Sequence, residues 1–285
     1  MFMNFLDKKA KIGTIIFSIV LGIGFSIYFF QGDSELQTYS GPPKAVIIDQ
    51  LYDELPNDDF HTKTTKYLEK AGFQVDIVTT KAVTIDFYKN LPKMNYKYVI
   101  VRTHGAENSK DVVLFTGERY SEEKYIQEQL FGQVKKAAPL LEISYKVGGD
   151  NSSKWIAINE TDSYMIIPAN PVANTTNEFF AISPQLVEHG MNGKFDNTVF
   201  ILGGCNTLSN PSLAKSLINR GASVVLGWDD AVSNTDNDNA ILFVLSGIFE
   251  NNLELNQVLE KMPDFFPPQY MAYPSNFTSY SNSNI

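Results

Sequence analysis

The chain of 285 residues has few of the residues on which several common kinds of site depend. It contains one cysteine, which excludes an internal disulfide. Its histidines, His61, His104 and His189, form no cysteine–histidine spacing typical of a zinc site, so no metal is expected. The net charge of −9 leaves no excess of basic residues to neutralise phosphates, so nucleic-acid binding is not expected. No glycine-rich turn follows the first predicted strand, and hence no nucleotide cofactor is expected.

The N-terminal region contains a long apolar run. Residues 12–30 are nineteen residues without a charge, close to the roughly 20 that a helix needs to cross a bilayer core. Lys8, Lys9 and Lys11 precede the run, so the positive-inside rule places the N-terminus in the cytoplasm. A cleaved signal peptide is the alternative, but the run is long for one and lacks a following small-x-small cleavage site.

We therefore predict three segments before the folded domain. They are a cytoplasmic N-terminus at residues 1–11, a single-pass signal-anchor helix at residues 12–30 and a linker at residues 31–43. The domain after the linker is expected to lie outside the cytoplasm, at the cell membrane.

The folded domain has the pattern of an α/β protein. The chain is 44% apolar and 13% aromatic, which is enough for a substantial core. From Lys44 onward, apolar runs rich in β-branched residues alternate with helical patterns, which predicts a mostly parallel central sheet between two layers of helices. The predicted strands are residues 44–49, 73–79, 98–103, 199–202 and 223–227, within a domain of residues 44–262.

Three segments depart from this alternation. Residues 121–137 have the pattern of a charged amphipathic helix. Residues 140–180 consist of alternating runs separated by Gly, Asn, Asp and Ser, which predicts a β-rich insertion. Residues 263–285 are rich in Pro, Tyr, Ser and Asn and are predicted to be a flexible tail.

The candidate reactive residues follow two of the predicted central strands. The run TVFILGGC ends in Cys205, and the run YVIVRTHG ends in His104 and Gly105. Open α/β sheets bind ligands beyond the carboxyl ends of their strands, and a cysteine with a histidine can form a thiol nucleophile and its base. A helical pattern after Cys205 predicts that free backbone N–H groups favour its thiolate. The alternatives are a buried structural cysteine and a core histidine.

These two blocks resemble the clan of caspase-like cysteine peptidases, which includes caspases, legumains, gingipains, clostripain, separases and CHAT domains. The shared pattern is a hydrophobic strand ending in His-Gly, followed later by a hydrophobic strand ending in a small residue and Cys. The segment NPSLAKSLINRGASVVLGWDDAVS is similar to the CHAT and separase run of a helix, a Gly-Ala turn, a hydrophobic strand and a Trp. The resemblance covers residues 98–118 and 182–262 and implies a caspase-like three-layer α/β/α sandwich.

The resemblance also implies the catalytic roles. Cys205 would be the nucleophile and His104 the general base or acid of a thiol protease. The backbone N–H groups of Gly105 and Cys205 would bind the oxyanion. No cofactor is implied.

The resemblance further implies that a peptide or protein substrate lies extended beside residues 223–228 and pairs with that strand. The expected substrate-binding residues are Gly204, Trp228, Asp229 and Asp230, with a place in the core as the alternative for Trp228. The resemblance also implies that the loop after Trp228 forms the pocket for the P1 side chain. Because this loop is acidic and also contains Asp236 and Asp238, a Lys or Arg side chain is expected at P1; the alternative is a solvated Asp/Asn turn.

Three other functions compete with a peptidase. One is a ligand-binding flavodoxin-like domain, but the chain lacks the glycine-rich phosphate loop that a nucleotide site needs after the first strand. Glutamine amidotransferases use a Gly-x-Cys-x-Gly turn, and residues 203–207 come close to it, but their His follows the Cys whereas every His here precedes Cys205. The third alternative is a catalytically inactive caspase-like ectodomain that binds a peptide or protein partner. The sequence therefore predicts a membrane-anchored extracytoplasmic cysteine endopeptidase, with the inactive ectodomain as the alternative and the oligomeric state left open.

Overall fold

A computed structural model describes residues 41–107, 110–137, 141–144, 153–156, 178–267, 271 and 273–282 of the chain. The predicted cytoplasmic N-terminus, the signal-anchor helix at residues 12–30 and most of the linker lie outside these residues. Within the described ranges, none of the helices combines the length and the apolar character that crossing a membrane requires.

The described part of the chain alternates between strands and helices. The strands are β1 (Lys44–Asp49), β2 (Gln74–Thr79), β3 (Tyr96–Arg102), β4 (Gly105–Glu107), β5 (Val112–Arg119), β6 (Val134–Ala137), β7 (Leu141–Ser144), β8 (Ser153–Ile156), β9 (Phe179–Ile182), β10 (Thr198–Gly203), β11 (Ala222–Trp228) and β12 (Phe277–Ser281). The α-helices are α1 (Asp58–Lys70), α2 (Ile85–Asn90), α3 (Ile126–Leu130), α4 (Ser212–Asn219), α5 (Asn234–Phe249) and α6 (Leu255–Phe265). Two 3₁₀ turns (Thr80–Ala82, Leu91–Met94) and a π-helical turn (Leu186–Gly190) complete the set.

Six strands form the central sheet, in the spatial order β12-β11-β10-β3-β1-β2. Every neighbouring pair is parallel except β11 and β12 at one edge. Ile100 of β3 pairs with Ile47 of β1 on one side and with Ile201 of β10 on the other. The prediction of a mostly parallel central sheet is confirmed, and all five predicted strands belong to it.

The central strands are apolar on both faces because both faces are covered. In β1, Ala45 and Ile47 belong to a core with residues of α1, α5 and α6. Val46 and Ile48 belong to a second core with residues of α2, α4, β5 and β9. All four side chains are fully buried, so helices lie against each face of the sheet, as the alternation predicts.

A smaller antiparallel sheet begins just after His104. Its strand order is β4-β5-β9-β6, and a separate ribbon pairs β7 with β8. In the predicted insertion at residues 140–180, the described residues form β7, β8 and the start of β9. Residues 140, 145–152 and 157–177 of that insertion lie outside the described part of the chain.

The helix predicted at residues 121–137 is wrong over most of its length. Only α3 is helical, and the chain then turns at Gly132, where φ is 67°. Val134 begins β6, which pairs with β9, and its side chain is buried in the core. Pairing and burial outweigh the local helical pattern, because intrinsic propensity is a weak preference that tertiary contacts override.

The flexible tail predicted at residues 263–285 contains the edge strand β12. Phe277 lies opposite Trp228 in the pairing of β12 with β11, and the two rings meet edge to face with centroids 5.1 Å apart. The unpaired backbone groups of an edge strand can be satisfied by any extended segment, whatever its side chains. The polar composition of the tail therefore did not reveal this strand.

Candidate active site

His104 lies two residues beyond the end of β3 and is fixed by the loop that follows β1. Its backbone N–H donates to Gln50 Oε1 at 3.1 Å, and the Thr103 hydroxyl lies 3.2 Å from the same oxygen. Its imidazole Nε2 lies 3.1 Å from Glu54 Oε2. The ring also packs edge-on against Phe115, with centroids 5.7 Å apart. One loop therefore holds both the backbone and the ring of His104.

Cys205 follows β10, the strand next to β3, so the cysteine and the histidine leave the sheet from neighbouring strands. The Thr103 N–H donates to Gly203 O at 2.8 Å, which joins the two segments beyond the strand ends. A Cβ on Gly105 would lie 2.2 Å from Cys205 O, and one on Gly204 would lie 2.3 Å from Thr103 O. No side chain fits at those distances, so both glycines are needed for the two segments to meet.

The thiol of Cys205 is held by the backbone of Val232. The Val232 N–H donates to Sγ at 3.4 Å, and the thiol donates to Val232 O at 3.5 Å. In this structure the thiol and the imidazole of His104 therefore have different partners, Val232 and Glu54. Burial raises the pKa of the Cys205 thiol, and the negative charge of Asp230 raises it further. The hydrogen bond from the Val232 backbone lowers the pKa but does not cancel these effects. The thiol is thus mostly protonated at neutral pH.

The expectation that a helix N-terminus favours the thiolate of Cys205 is wrong. Residues 205–211 form turns and bends, and α4 begins only at Ser212. The dipole of a helix acts within about its first turn, so it does not reach the thiol. The turns arise because Asn206 takes a left-handed conformation with φ of 57°, and its N–H donates to Asp230 O at 3.0 Å.

Two of the expected substrate-binding residues are buried. Trp228 is 0% exposed, and its indole Nε1 donates to Asn237 Oδ1 at 3.0 Å. This contradicts the expectation that Trp228 contacts a substrate, because a side chain without exposed surface belongs to the core. Gly204 is buried too, and the carbonyl of Thr103 lies against it, which contradicts its expected role in substrate binding.

The four aspartates of the acidic loop lie in different surroundings. The carboxylate of Asp229 accepts hydrogen bonds from Asn276, the residue before β12. The N–H of Asp236 donates to the hydroxyl of Ser233, the N-cap of α5. Asp238 is buried and forms an ion pair with Arg102. Asp230 is the one of the four whose side chain is exposed, and its charge acts on Cys205. It is therefore the aspartate available to a substrate bound at the thiol.

The strand edge along which a substrate was expected to pair is occupied. β12 pairs with β11 from Val224 opposite Ser281 to Trp228 opposite Phe277. The backbone groups of residues 224–228 on that edge already have partners in the chain itself. Pairing of a substrate with this strand is therefore excluded while β12 is in place.

A buried ionic network lies at the carboxyl ends of the interior strands β1 and β3. Arg102, the last residue of β3, is 2% exposed; its Nε donates to Asp238 Oδ1 at 2.8 Å and its Nη1 to Asp49 Oδ1 at 3.1 Å. Asp49 also contacts His61 Nε2 at 2.8 Å, and Arg102 Nη1 donates to Leu55 O at 2.9 Å. Burial disfavours the charged form of the Arg102 guanidinium and by itself would lower its pKa. The hydrogen bonds and charges of Asp49 and Asp238 outweigh this effect, so the pKa is raised.

The sequence analysis missed Gln50, Glu54 and this network. Asp49 and Arg102 did carry a signal, since each is a charged residue that ends an apolar strand run, KAVIID or YKYVIVR. The sequence gives no signal that Glu54 contacts His104, because Glu54 lies in a polar loop 50 positions away.

A scan of the chain against models of known protein families and a search of curated proteins found no match. Within the residues that the structure describes, no group of three or more His, Cys, Asp or Glu side chains is arranged to hold a metal ion. The function is therefore inferred from the residues that follow the carboxyl ends of β3 and β10.

Proposed function

We propose that the chain is a caspase-like cysteine endopeptidase with a Cys205–His104 dyad, built on a caspase-like α/β/α sandwich. The observation that carries the proposal is that Cys205 and His104 follow two neighbouring central strands at their carboxyl ends. This is the part of an open α/β sheet where ligands bind. The two segments that meet there are the His-Gly and Gly-Cys motifs on which the resemblance to that clan depends.

In the proposed reaction, His104 takes the proton of the Cys205 thiol and the thiolate attacks the carbonyl carbon of the scissile peptide bond. The N–H groups of Gly105 and Cys205 stabilise the oxyanion. His104 then gives the proton to the departing amine as the C–N bond breaks and a thioester forms. A water molecule that His104 deprotonates hydrolyses the thioester, releases the carboxylic acid and restores the thiol.

Glu54 supports this proposal as a positioning residue for His104. The hydrogen bond from His104 lowers the pKa of the Glu54 carboxyl, so it is ionised at neutral pH. An ionised carboxylate at Nε2 favours the tautomer with its proton on that nitrogen. Nδ1 is then the ring atom free to accept the thiol proton.

The same proposal places the peptidase domain outside the cytoplasm, anchored in the cell membrane by residues 12–30. The support is the charge-free run itself and the lysines that precede it. The substrate would then be an extracytoplasmic peptide or protein.

We test the peptidase by labelling the detergent-solubilised full-length chain with peptide acyloxymethyl ketones that carry Lys, Arg, Asp, Asn or Leu at P1. A covalent adduct on Cys205 is expected in the wild-type protein and not in Cys205→Ala, because the thiolate must displace the acyloxy group. Mass spectrometry of the adduct is the measurement. No adduct with any of the five probes, in the wild type or in a variant whose Cys205 thiol is accessible to a small alkylating reagent, would reject the peptidase and favour the inactive ectodomain that binds a partner.

Among these probes, Lys and Arg at P1 are expected to react fastest. Asp230 is exposed beside Cys205 and offers a negative charge to a basic side chain. Because the carboxylate is exposed, Asp230→Asn is expected to lower the rate ratio of the Lys probe to the Leu probe by only about two- to fivefold. The matched control is Asp264→Asn, an exposed aspartate of α6, which should leave the ratio unchanged. A wild-type preference for Asp, Asn or Leu would contradict this prediction.

A further inference from the structure

Residues 229–233, which we call the strap, lie against the thiol of Cys205, a residue that is half-buried. Sγ is in contact with both the N–H and the carbonyl oxygen of Val232, at 3.4 and 3.5 Å. The side chain of Val232 is itself 7% exposed and belongs to the core. An acyl group cannot approach Sγ through the space that the backbone of Val232 occupies.

The two ends of the strap are attached differently. At its C-terminal end, Ser233 caps α5, with its hydroxyl accepting the Asp236 N–H at 3.0 Å. At its N-terminal end, Asp229 is joined to Asn276, the residue before β12, by three hydrogen bonds that we call the clamp. Asn276 donates its backbone N–H to Asp229 Oδ1 at 2.7 Å and its Nδ2 to Oδ2 at 2.8 Å, and it accepts the Asp229 N–H at 3.1 Å.

The clamp lies at the surface, whereas the contact between Val232 and the thiol that it supports is half-buried. Asn276 is exposed and Asp229 is half-buried, so water can replace the hydrogen bonds of the clamp when it opens. The clamp also connects the strap to the C-terminal segment, whose strand β12 occupies the edge of β11. A change in the C-terminal segment can therefore reach Cys205 through Asp229.

We propose that the strap is a closed cover over Cys205, which the clamp to the C-terminal segment keeps shut and which must open before a substrate reaches the thiol. This inference rests on the proposed function only in taking Cys205 as the nucleophile. The physical basis is a shift between closed and open states, in which each lost hydrogen bond of the clamp increases the open fraction. A partner that captures the C-terminal segment would act on the site in the same way.

The test uses the fact that the chain has a single cysteine, so alkylation of the folded full-length protein reports on Cys205 alone. Iodoacetamide is a neutral reagent; the thiolate displaces iodide and forms a thioether, and the thiol proton goes to solvent. We compare alkylation rates of the wild type, Asp229→Ala, Asn276→Ala and the double variant at one pH. The matched control is Asn192→Ala, another exposed asparagine whose side chain makes a single hydrogen bond, to Asn90, away from the strap.

Both clamp variants are expected to be alkylated about two- to tenfold faster than the wild type, since each loses one or two hydrogen bonds. Asn276→Ala changes no charge, so a faster alkylation of this variant reports on the opening of the cover and not on a changed electrostatic potential at the thiol. The double variant is expected to gain less than the product of the two single effects, because both substitutions break the same clamp. If Asp229→Ala lowers the midpoint of thermal unfolding more than the control does, Asp229→Asn takes its place.

Wild-type alkylation rates in the clamp variants, or an equal acceleration in Asn192→Ala, would overturn the proposed cover. The outcome is separable from that of the peptidase test. Faster alkylation of the clamp variants, with no labelling of those same variants by any peptide ketone, would support the cover and reject the peptidase. Labelling by the ketones with unchanged alkylation rates would support the peptidase and reject the cover.

Discussion

Replacing His104 by alanine is expected to slow the reaction of Cys205 with a peptide acyloxymethyl ketone by about 10²- to 10⁴-fold at neutral pH. Burial and the charge of Asp230 raise the pKa of the thiol, so very little thiolate exists at pH 7 unless a base accepts the proton. Without His104, the thiolate fraction increases about tenfold with each unit of pH until the pH reaches the raised thiol pKa. The variant should therefore recover reactivity as the pH rises, whereas the wild type should depend on pH less steeply below that value.

The rate of adduct formation as a function of pH is the measurement, with two comparison variants. His189→Ala removes an exposed histidine, with 64% of its side chain accessible, and should react as the wild type does. Glu54→Gln keeps the size of the side chain but removes the charge next to Nε2, and we expect a smaller loss of roughly tenfold. A His104→Ala variant with the wild-type rate and pH profile would show that this histidine is not the base.

Replacing Arg102 by methionine is expected to lower the free energy of unfolding by about 3–5 kcal/mol. The substitution keeps an unbranched side chain but leaves Asp49 and Asp238 buried without the cation that lies between them. Both carboxylates are almost inaccessible to water, so solvation does not compensate for the lost hydrogen bonds. Since whole domains are stable by about 5–15 kcal/mol, this is a large part of the total. Denaturant unfolding of the full-length protein is the measurement.

Two controls separate the buried charge from the loss of a side chain. Lys66→Met removes an exposed cation of α1 and should change the stability by less than about 0.5 kcal/mol. The triple variant with Arg102→Met, Asp49→Asn and Asp238→Asn should be more stable than Arg102→Met alone, because neutral amides at both positions leave no uncompensated charge. A triple variant no more stable than the single one would show that the loss comes from packing and not from charge.

The strands of the central sheet could be predicted from the sequence because their signal is local. KAVIID, YKYVIVR, TVFILG and ASVVLGW are apolar on both faces, as strands covered by helices on both sides must be. Cys205 and His104 could be placed at the carboxyl ends of two of these strands for the same reason. The helix predicted over residues 121–137 failed where the local pattern competed with pairing between β6 and β9, which lie far apart in the chain.

The sequence by itself therefore determined which segments are buried strands and which reactive residues follow them. Tertiary structure decided the partners of those residues: Glu54 on His104, Val232 on Cys205 and Asp238 on Arg102 come from 50, 27 and 136 positions away. It also placed Trp228 in the core and β12 on the strand edge expected for a substrate. The physical reason is that hydrophobic periodicity is set by neighbouring residues, whereas a hydrogen bond or an ion pair depends on which distant segment the packing of the sheet brings within about 3 Å.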